Sequence, residues 1–308
     1  MAGDFPLIVI LGPTAVGKTR LALDLARRFE GEIINADSRQ VYRYMDIGTA
    51  KPTPEQLTQA VHHLLDIVDP DDHLALAQYQ RMAYAVINDI HRRGKLPLLV
   101  GGTGQYITAV TEGWRIPEVP PNEGLRRELE VFAAEHGSLA LHERLTNLDP
   151  EAASRIHHHN VRRVVRALEV CLETGQPISE LQRKTPPPYR LLQYGLTMER
   201  KRLYEQADSR FDDMMAVGFL DEVRELLDRG YSPSLPSMSG IGYAQLAGHL
   251  VKGVPLDEAI TAAKHLTHDF IRRQYTWFRG HDSGILWHNR EEMDLSDISA
   301  AVMRWLHP

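Results

Sequence analysis

The sequence predicts an α/β protein with a P-loop core, in which a mainly parallel sheet is flanked by helices, and with an all-helical insertion domain. Three observations predict this architecture. A glycine-rich loop follows an apolar run near the amino terminus, strand and helix patterns alternate after it, and one long segment has only helical periodicity. We expect residues 1–117 and 189–308 to form the core and residues 118–188 to form the insertion.

The first predicted strand, residues 7–11, leads into a phosphate-cradling loop that reads G-P-T-A-V-G-K-T. Backbone N–H groups of such a loop point at a polyphosphate, and the helix that follows adds the positive end of its dipole. In this scheme the Lys18 ammonium neutralises the outermost phosphate and the Thr19 hydroxyl ligates Mg²⁺, the predicted cofactor. The residues predicted to bind a diphosphate or nucleotide are Gly12, Pro13, Thr14, Ala15, Val16, Gly17, Lys18 and Thr19.

Two further predicted strands end in polar or glycine-rich segments. Residues 32–36 lead into Asp-Ser-Arg-Gln at 37–40, and residues 96–100 lead into Gly-Gly-Thr-Gly at 101–104. A helical pattern at 74–93 separates the two strands, as a parallel connection requires. Because functional groups of parallel sheets gather at the carboxyl ends of the strands, we expect these two segments and the phosphate loop to form one site.

The pattern changes at the proline-rich segment 117–121, where the chain is predicted to leave the sheet. Residues 122–179 have helical periodicity only. A strand at 190–198 follows three prolines, and the chain closes with a strand at 284–288 and a helix at 295–306.

Composition limits the class of protein. With 43% hydrophobic and 25% charged residues, the chain is typical of a soluble globular protein, and no apolar run is long enough to span a bilayer. The only cysteine, Cys171, excludes an intrachain disulfide, and we expect no secretory segment before the first strand. We expect a cytoplasmic, monomeric protein with no membrane partner and no obligate protein partner. The net charge of −6 means that a nucleic-acid partner would need local basic patches.

The predicted site lacks one feature of routine ATP-hydrolysing or kinase P-loop proteins, which carry a metal-binding acid after a buried strand. The strand at 96–100 ends in glycines and threonine instead. Asp66 and Asp69 could replace the missing ligand, or they could belong to a turn beside Pro70. The site is therefore expected to serve a reaction other than routine ATP turnover.

Seven motifs are spread over nearly the whole chain: G-P-T-A-V-G-K-T at 12–19, D-S-R-Q-V-Y-R-Y-M-D-I-G-T-A-K-P at 37–52, G-G-T-G-Q-Y at 101–106, R-V-V-R-A-L-E-V at 163–170, R-F-D-D-M-M-A-V-G-F-L-D-E-V at 210–223, I-G-Y at 241–243 and R-R-Q-Y-T-W-F-R at 272–279. With these motifs the chain resembles a known family, the tRNA dimethylallyltransferases (tRNA isopentenyltransferases). The Asp37 segment is the most diagnostic, because many unrelated enzymes have a P-loop. Two residues differ from the family pattern, His158 in place of a common proline and His268 in place of a common arginine.

The resemblance implies transfer of the dimethylallyl group of dimethylallyl diphosphate to N6 of the adenosine immediately 3′ of the anticodon in tRNA, with release of diphosphate. Asp37 is then the general base that accepts an N6 proton, although the same side chain could cap a turn. Thr103 and Arg210 match catalytic positions near the reacting atoms, and an arginine fork suits diphosphate oxygens.

The resemblance also implies contacts to the anticodon stem-loop, whose target base must leave its stack to react. Ser38, Arg39 and Gln40 are expected at that base together with Asp37 and Thr103, although Arg39 could instead pair with a carboxylate. On a helix predicted at 160–173, the arginines occupy one side and apolar residues, among them Leu172, the other. The predicted contacts to the RNA phosphates are Arg126, Arg162, Arg163 and Arg166, with a solvated face paired to Glu169 as the alternative.

Some candidates are left out of the predicted site. Trp277 and Phe278 have the spacing of a buried helix face. His62 and His63 are interpreted as loop residues that could approach the substrate. His157–His159 would diverge on a helix, so no metal is expected there. Two alternative functions remain open: an adenylate prenyltransferase acting on a free nucleotide, and a P-loop nucleotide-binding or kinase-like protein with ATP in the loop.

Overall fold

A computed structural model of the chain describes residues 5–281 and 284–307. The chain divides into two compact units, which we call the core unit and the helical unit. The core unit contains the residues up to Thr111 and those from Pro187 onwards, and the helical unit is Glu112–Pro186. The insertion was expected at 118–188, a range that overlaps most of the helical unit.

The core unit is built on one parallel sheet, which has six strands in the described part of the chain, in the order β3-β2-β4-β1-β5-β6. The predicted α/β fold is confirmed, but the interpretation of residues 62–63 as a loop is wrong, because they form the short strand β3. Two residues are too few to show a strand period. The strands are β1 Phe5–Leu11, β2 Gly31–Asn35, β3 His62–His63, β4 Leu96–Gly101, β5 Tyr189–Thr197 and β6 Ile285–Asn289.

Helices pack on both faces of this sheet. Along β1, Leu7, Val9 and Leu11 face one hydrophobic core, while Ile8 and Ile10 face the other. This alternation explains why the central strand is apolar without interruption, as is typical of a parallel sheet covered on both sides. The helices of the core unit are α1 Lys18–Arg28, α2 Pro54–Gln59, α3 Leu76–Arg92, α4 Gly104–Glu112, α10 Arg200–Ala216, α11 Phe219–Asp228, α12 Tyr243–Lys252, α13 Leu256–Gly280 and α14 Leu295–Leu306.

The helical unit has its own core, in which Leu129, Leu141, Leu145 and Leu168 are buried. One residue of the predicted apolar face is misassigned, since Leu172 is 50% exposed. A helical wheel gives the direction of a side chain, but it does not show how far the packed surface extends along the helix. The helices of this unit are α5 Glu123–His136, α6 Ser138–Leu148, α7 Pro150–Arg155, α8 Val161–Thr174 and α9 Ile178–Leu181.

Within residues 5–281 and 284–307, no helix combines the length and the apolar character that crossing a membrane requires.

Candidate active site

The phosphate loop connects β1 to α1 at the carboxyl edge of the sheet. Gly17 has a φ of 94°, a left-handed conformation that favours glycine, and it precedes a helix with no side-chain cap and no acid in its first turn. The N–H groups and positive dipole of α1 are therefore available to an anion. Thr14, Gly17, Lys18 and Thr19 line a cavity of about 260 Å³, which we call the loop cavity.

Lys18 is held inside the loop. Its Nζ donates hydrogen bonds to the carbonyl oxygens of Gly12 (3.0 Å) and Pro13 (2.7 Å). Burial lowers the pKa of Lys18 to about 8; the negative charge of Asp37 opposes this shift, and the positive charge of Arg210 adds to it. An anion in the loop cavity would reverse the shift and favour the charged ammonium.

Asp37 follows β2 and is positioned by Asn35. The Asn35 side chain accepts a hydrogen bond from the Asp37 N–H (3.0 Å) and donates one to the Asp37 carbonyl (3.1 Å). Asp37 Oδ1 accepts a hydrogen bond from the Arg39 N–H at 2.8 Å. Within the described residues, Oδ2 has no hydrogen-bond partner, and the carboxylate lines the loop cavity. Asp37 therefore closes a turn with Oδ1, as the alternative interpretation expected, and it also forms part of the cavity wall.

Thr103 joins the ends of β2 and β4. Its hydroxyl accepts a hydrogen bond from the Ser38 N–H (2.9 Å) and donates one to Ser38 Oγ (3.2 Å). The backbones approach closely here, since a β-carbon at Gly101 would lie 2.1 Å from the Ala36 carbonyl oxygen. The glycines that replace the expected metal-binding acid thus allow Thr103 to reach the Asp37 segment.

Arg210, on α10, contacts the phosphate loop at Thr14. Its Nη2 donates to Thr14 Oγ1 at 2.5 Å. Burial lowers the pKa of Arg210, and the charge of Asp37 opposes this shift. The guanidinium, the Lys18 ammonium and the Asp37 carboxylate therefore interact electrostatically around the loop cavity.

Two glutamines that the sequence analysis missed hold the loop in place. Gln274, on α13, accepts a hydrogen bond from the Thr14 N–H (2.8 Å) and donates one to the Gly102 carbonyl (2.9 Å). Gln206, on α10, donates to the Ala15 carbonyl at 2.9 Å. Gln206 lies four residues before Arg210 on the same helix face, a spacing that could have indicated it. No local signal pointed to Gln274.

A second cavity, of about 480 Å³, lies beside the loop cavity, and we call it the aromatic cavity. Trp277 was left out of the predicted site, yet it lines this cavity, whereas Phe278 is 2% exposed in the core as expected. Phe270 and Trp277 are seven residues apart and share one face of α13. The larger apolar side chains of its wall are Phe211, Met214, Ile241, Tyr243, Phe270 and Trp277.

The two cavities meet at a common set of residues. Thr14, Asp37, Thr49 and Arg210 line both of them. Asp37 and Arg210 therefore lie at the boundary between the two cavities, where a ligand in one cavity would meet a ligand in the other. Ser38 and Thr103 line the aromatic cavity only.

The side chains of Arg39 and Gln40 hold neighbouring loops. Arg39 Nη1 donates to the carbonyl oxygens of Pro236 (2.8 Å) and Ser237 (3.1 Å), and Nη2 donates to Ser239 Oγ (3.3 Å). These partners are neutral groups rather than the carboxylate considered from the sequence. Gln40 Nε2 donates to the Thr49 and Ala50 carbonyls at 3.1 and 3.0 Å. Both residues thus shape the walls of the two cavities.

Asp66 and Asp69 are not placed to replace the missing metal ligand. Asp66 pairs with Lys51 (2.5 Å) and Asp69 with Arg43 (3.0 Å), and neither carboxylate lines the loop cavity. Around Pro70, the Asp69 carbonyl accepts a hydrogen bond from the Asp72 N–H at 3.0 Å, as the turn interpretation expects. Oxygen-bearing side chains that do line the loop cavity are those of Thr14, Thr19, Asn35, Asp37, Gln40, Thr49 and Gln206.

The four arginines that were predicted to contact the RNA phosphates fall into two groups. Arg126 and Arg166 both pair with Glu169, which is fully buried, at 2.8 and 2.5 Å. Burial raises the pKa of Glu169, but hydrogen bonds from these two arginines outweigh it and leave the pKa lowered. Arg162 and Arg163 are exposed, and within the described residues their side chains have no hydrogen-bond or ion-pair partner.

The histidines at 157–159 lie in a turn before α8, not on a helix, so the expected divergence of their side chains is wrong. Their ring nitrogens come within 4.8 Å of one another. The positive end of α8 begins directly after them, and Arg162 and Arg163 follow in its first turn, so a cation there would be opposed by both. We assign no metal to this cluster.

Comparison with known proteins confirms the resemblance. The family model described as isopentenyl transferase matches residues 5–71, and the one described as IPP transferase matches residues 40–281. The tRNA dimethylallyltransferase of Roseiflexus castenholzii is 57% identical over 274 residues, which are 89% of this chain and 90% of that protein. That of Dehalococcoides mccartyi is 47% identical over 301 residues, which are 98% and 93% of the two chains.

Solved structures agree with these relatives. The full-length tRNA isopentenylpyrophosphate transferase of Bacillus halodurans has a TM-score of 0.73 at 41% identity, covering 98% of this chain and 97% of that one. A eukaryotic dimethylallyltransferase acting on tRNA has a TM-score of 0.81 at 29% identity, covering 98% and 77%. With its P-loop sheet, its two adjoining cavities and these relatives, the chain belongs to the IPP transferase family, the family of the tRNA dimethylallyltransferases.

Proposed function

We propose that the chain transfers the dimethylallyl group of dimethylallyl diphosphate to N6 of the adenosine immediately 3′ of the anticodon in tRNA and releases diphosphate. The observation that carries the proposal is the position of Asp37, whose carboxylate lines both the loop cavity and the aromatic cavity. The relatives named as tRNA dimethylallyltransferases support the same reaction.

In the proposed reaction, the adenine occupies the aromatic cavity and the diphosphate occupies the loop cavity. The N6 lone pair forms a bond to C1 of the allyl group, the C1–O bond breaks, and its electron pair leaves with the diphosphate. Asp37 accepts the proton that N6 loses, which orients a weakly nucleophilic amine and removes the charge that builds on it. The apolar wall of Phe211, Phe270 and Trp277 would shield the reacting carbon from water.

The charge that grows on the departing diphosphate is met by fixed positive groups. Lys18, Arg210 and the N–H groups at the start of α1 would stabilise it without reorganising. The oxygen-rich loop cavity fits Mg²⁺, which prefers oxygen ligands, and Thr19 would hold it together with diphosphate oxygens. Bound there, Mg²⁺ would supply further positive charge to the leaving group.

For tRNA, the same proposal assigns the phosphate contacts of the helical unit to Arg162 and Arg163, whose guanidinium groups are exposed. Arg126 and Arg166 would act indirectly, by holding the buried Glu169 and with it the start of α5 through the Asn122 N–H. A tRNA substrate also favours the cytoplasm as the site of action.

The test is mass analysis of nucleosides from bulk tRNA after incubation with the chain, dimethylallyl diphosphate and Mg²⁺. We expect a gain of one dimethylallyl unit on adenosine, and Asp37→Asn should lower turnover about 100-fold or more, as for a lost general base. Asp24→Asn, which removes a surface carboxylate paired with Arg27, is the matched control. Turnover of ATP without prenyl transfer, or transfer to free adenylate but not to tRNA, would refute the proposal in favour of the two alternatives.

A further inference from the structure

Arg290 is fixed beside the phosphate loop by the strands of the sheet. It directly follows β6, and its N–H donates to the carbonyl of Thr197, the last residue of β5, at 2.8 Å. Its side chain lies against Gly17: a β-carbon at Gly17 would be 3.2 Å from Arg290 Nε and 3.6 Å from its Cδ. The absence of a side chain at Gly17 therefore allows an arginine to approach the backbone of the loop.

The guanidinium of Arg290 is half-buried, and it has no hydrogen-bond or ion-pair partner within residues 5–281 and 284–307. Nearby charged residues are already paired, since Glu291 accepts from Arg202 and Glu292 accepts from Asn289. An unpaired, partly buried guanidinium beside the loop backbone at Gly17 and the positive end of α1 is unfavourable in the free protein. The arrangement becomes favourable when an anion binds in the loop.

The two ends of the loop differ in what they face. Thr14 lines both cavities and is contacted by Arg210, whereas Gly17 lines the loop cavity only. In the proposed reaction C1 of the allyl group must lie near Asp37, so the phosphate bonded to it belongs at the Thr14 end. The terminal phosphate then lies toward Gly17, on the side where Arg290 packs.

From this geometry we propose that Arg290 binds the terminal phosphate of the diphosphate and selects ligands whose phosphate chain ends there. The inference rests on the proposed function for the direction of the ligand. A terminal phosphate offers three oxygens and more charge than an internal one, which suits an arginine fork. A nucleoside triphosphate entering in the same sense would have to continue its phosphate chain past this guanidinium.

The first experiment measures binding of inorganic diphosphate by calorimetry to the full chain and to three variants. Arg290→Gln should weaken binding about 10- to 100-fold, as expected for loss of a charged hydrogen bond, and Arg290→Lys should weaken it less. Arg92→Gln removes a surface arginine that is 76% exposed and lines neither cavity, and it should leave affinity unchanged. Equal affinity in Arg290→Gln and the parent chain would overturn the inference, as would an equal loss in Arg92→Gln.

The second experiment tests selection by comparing dimethylallyl diphosphate with dimethylallyl monophosphate, which lacks the terminal phosphate. Arg290→Gln should weaken the diphosphate about tenfold or more and change the monophosphate less than about twofold. The same loss for both ligands would refute a contact to the terminal phosphate. Binding can be measured without turnover, so the two proposals can fail separately. If diphosphate binding depends on Arg290 but the chain transfers no prenyl group, the Arg290 site is supported and only the proposed function is refuted.

Discussion

Raising the pH from 7 to 9 should weaken the binding of dimethylallyl diphosphate because Lys18 loses its proton. In the free chain, burial lowers the pKa of Lys18 to about 8, well below the 10.5 of an ordinary lysine. A bound diphosphate would place negative charge beside the ammonium and raise its pKa again. Binding therefore requires the protonated form, whose population in the free chain falls as the pH passes 8.

The size of the effect follows from that pKa. With a value of about 8, roughly nine-tenths of the free chain has a charged Lys18 at pH 7 and roughly one-tenth at pH 9. The apparent affinity should therefore fall about tenfold across this range, which corresponds to about 1.4 kcal/mol. An unperturbed lysine would give almost no change below pH 9.

Calorimetry with dimethylallyl diphosphate at pH 7, 8 and 9 and constant ionic strength measures this directly. Lys18→Arg is the matched control, because arginine stays charged throughout and should give a nearly flat profile whatever its absolute affinity. A flat profile in the parent chain would refute the reasoning. A slope that persists in Lys18→Arg would assign the titration to another group.

Three further predictions concern the other parts of the molecule. Replacing both Arg162 and Arg163 with Gln should weaken tRNA binding and reduce the slope of log affinity against log salt by about 2, measured by filter binding. An unchanged slope would remove these residues from the interface. Glu169→Ala should lower the free energy of unfolding in urea by about 1–3 kcal/mol, because it leaves two guanidinium groups without their buried partner. Stability equal to the parent chain would contradict that role. Trp277→Ala should lower kcat/KM for tRNA about tenfold or more, because a stacking surface for the base is lost, and it should leave diphosphate affinity unchanged. A loss of diphosphate affinity instead would assign Trp277 to the phosphate loop.

The sequence predicted the structure correctly where a short segment contains the residues that determine its own conformation. The phosphate loop was readable because it contains its strand, its glycines and its helix within a few consecutive residues. The end of β2 was readable because parallel topology brings strand ends together. The last helix, Leu295–Leu306, also begins and ends where its apolar pattern predicted.

Contacts between distant segments could not be predicted in this way. Gln274 bonds to Thr14 across 260 positions, and no periodicity relates the two. Trp277 packs against the core, as its helical spacing predicted, but it also lines the aromatic cavity. Helical spacing identifies a buried face and does not show that a cavity lies beside it. The sequence also could not separate the paired arginines of the helical unit from the exposed ones. The pairing of Arg126 and Arg166 with Glu169 depends on how α5 packs against α8.

The distribution of positive charge around the loop explains why a P-loop can serve prenyl transfer rather than phosphoryl transfer. In phosphoryl transfer the catalytic groups surround the outermost phosphorus. Here the carboxylate of Asp37 and the guanidinium of Arg210 both stand at the boundary of the two cavities, on the side of the loop marked by Thr14. Arg290 packs at the other end, against Gly17. An anion held between two guanidinium groups is stabilised along its whole length as its charge grows, so this arrangement suits a diphosphate that departs as a unit.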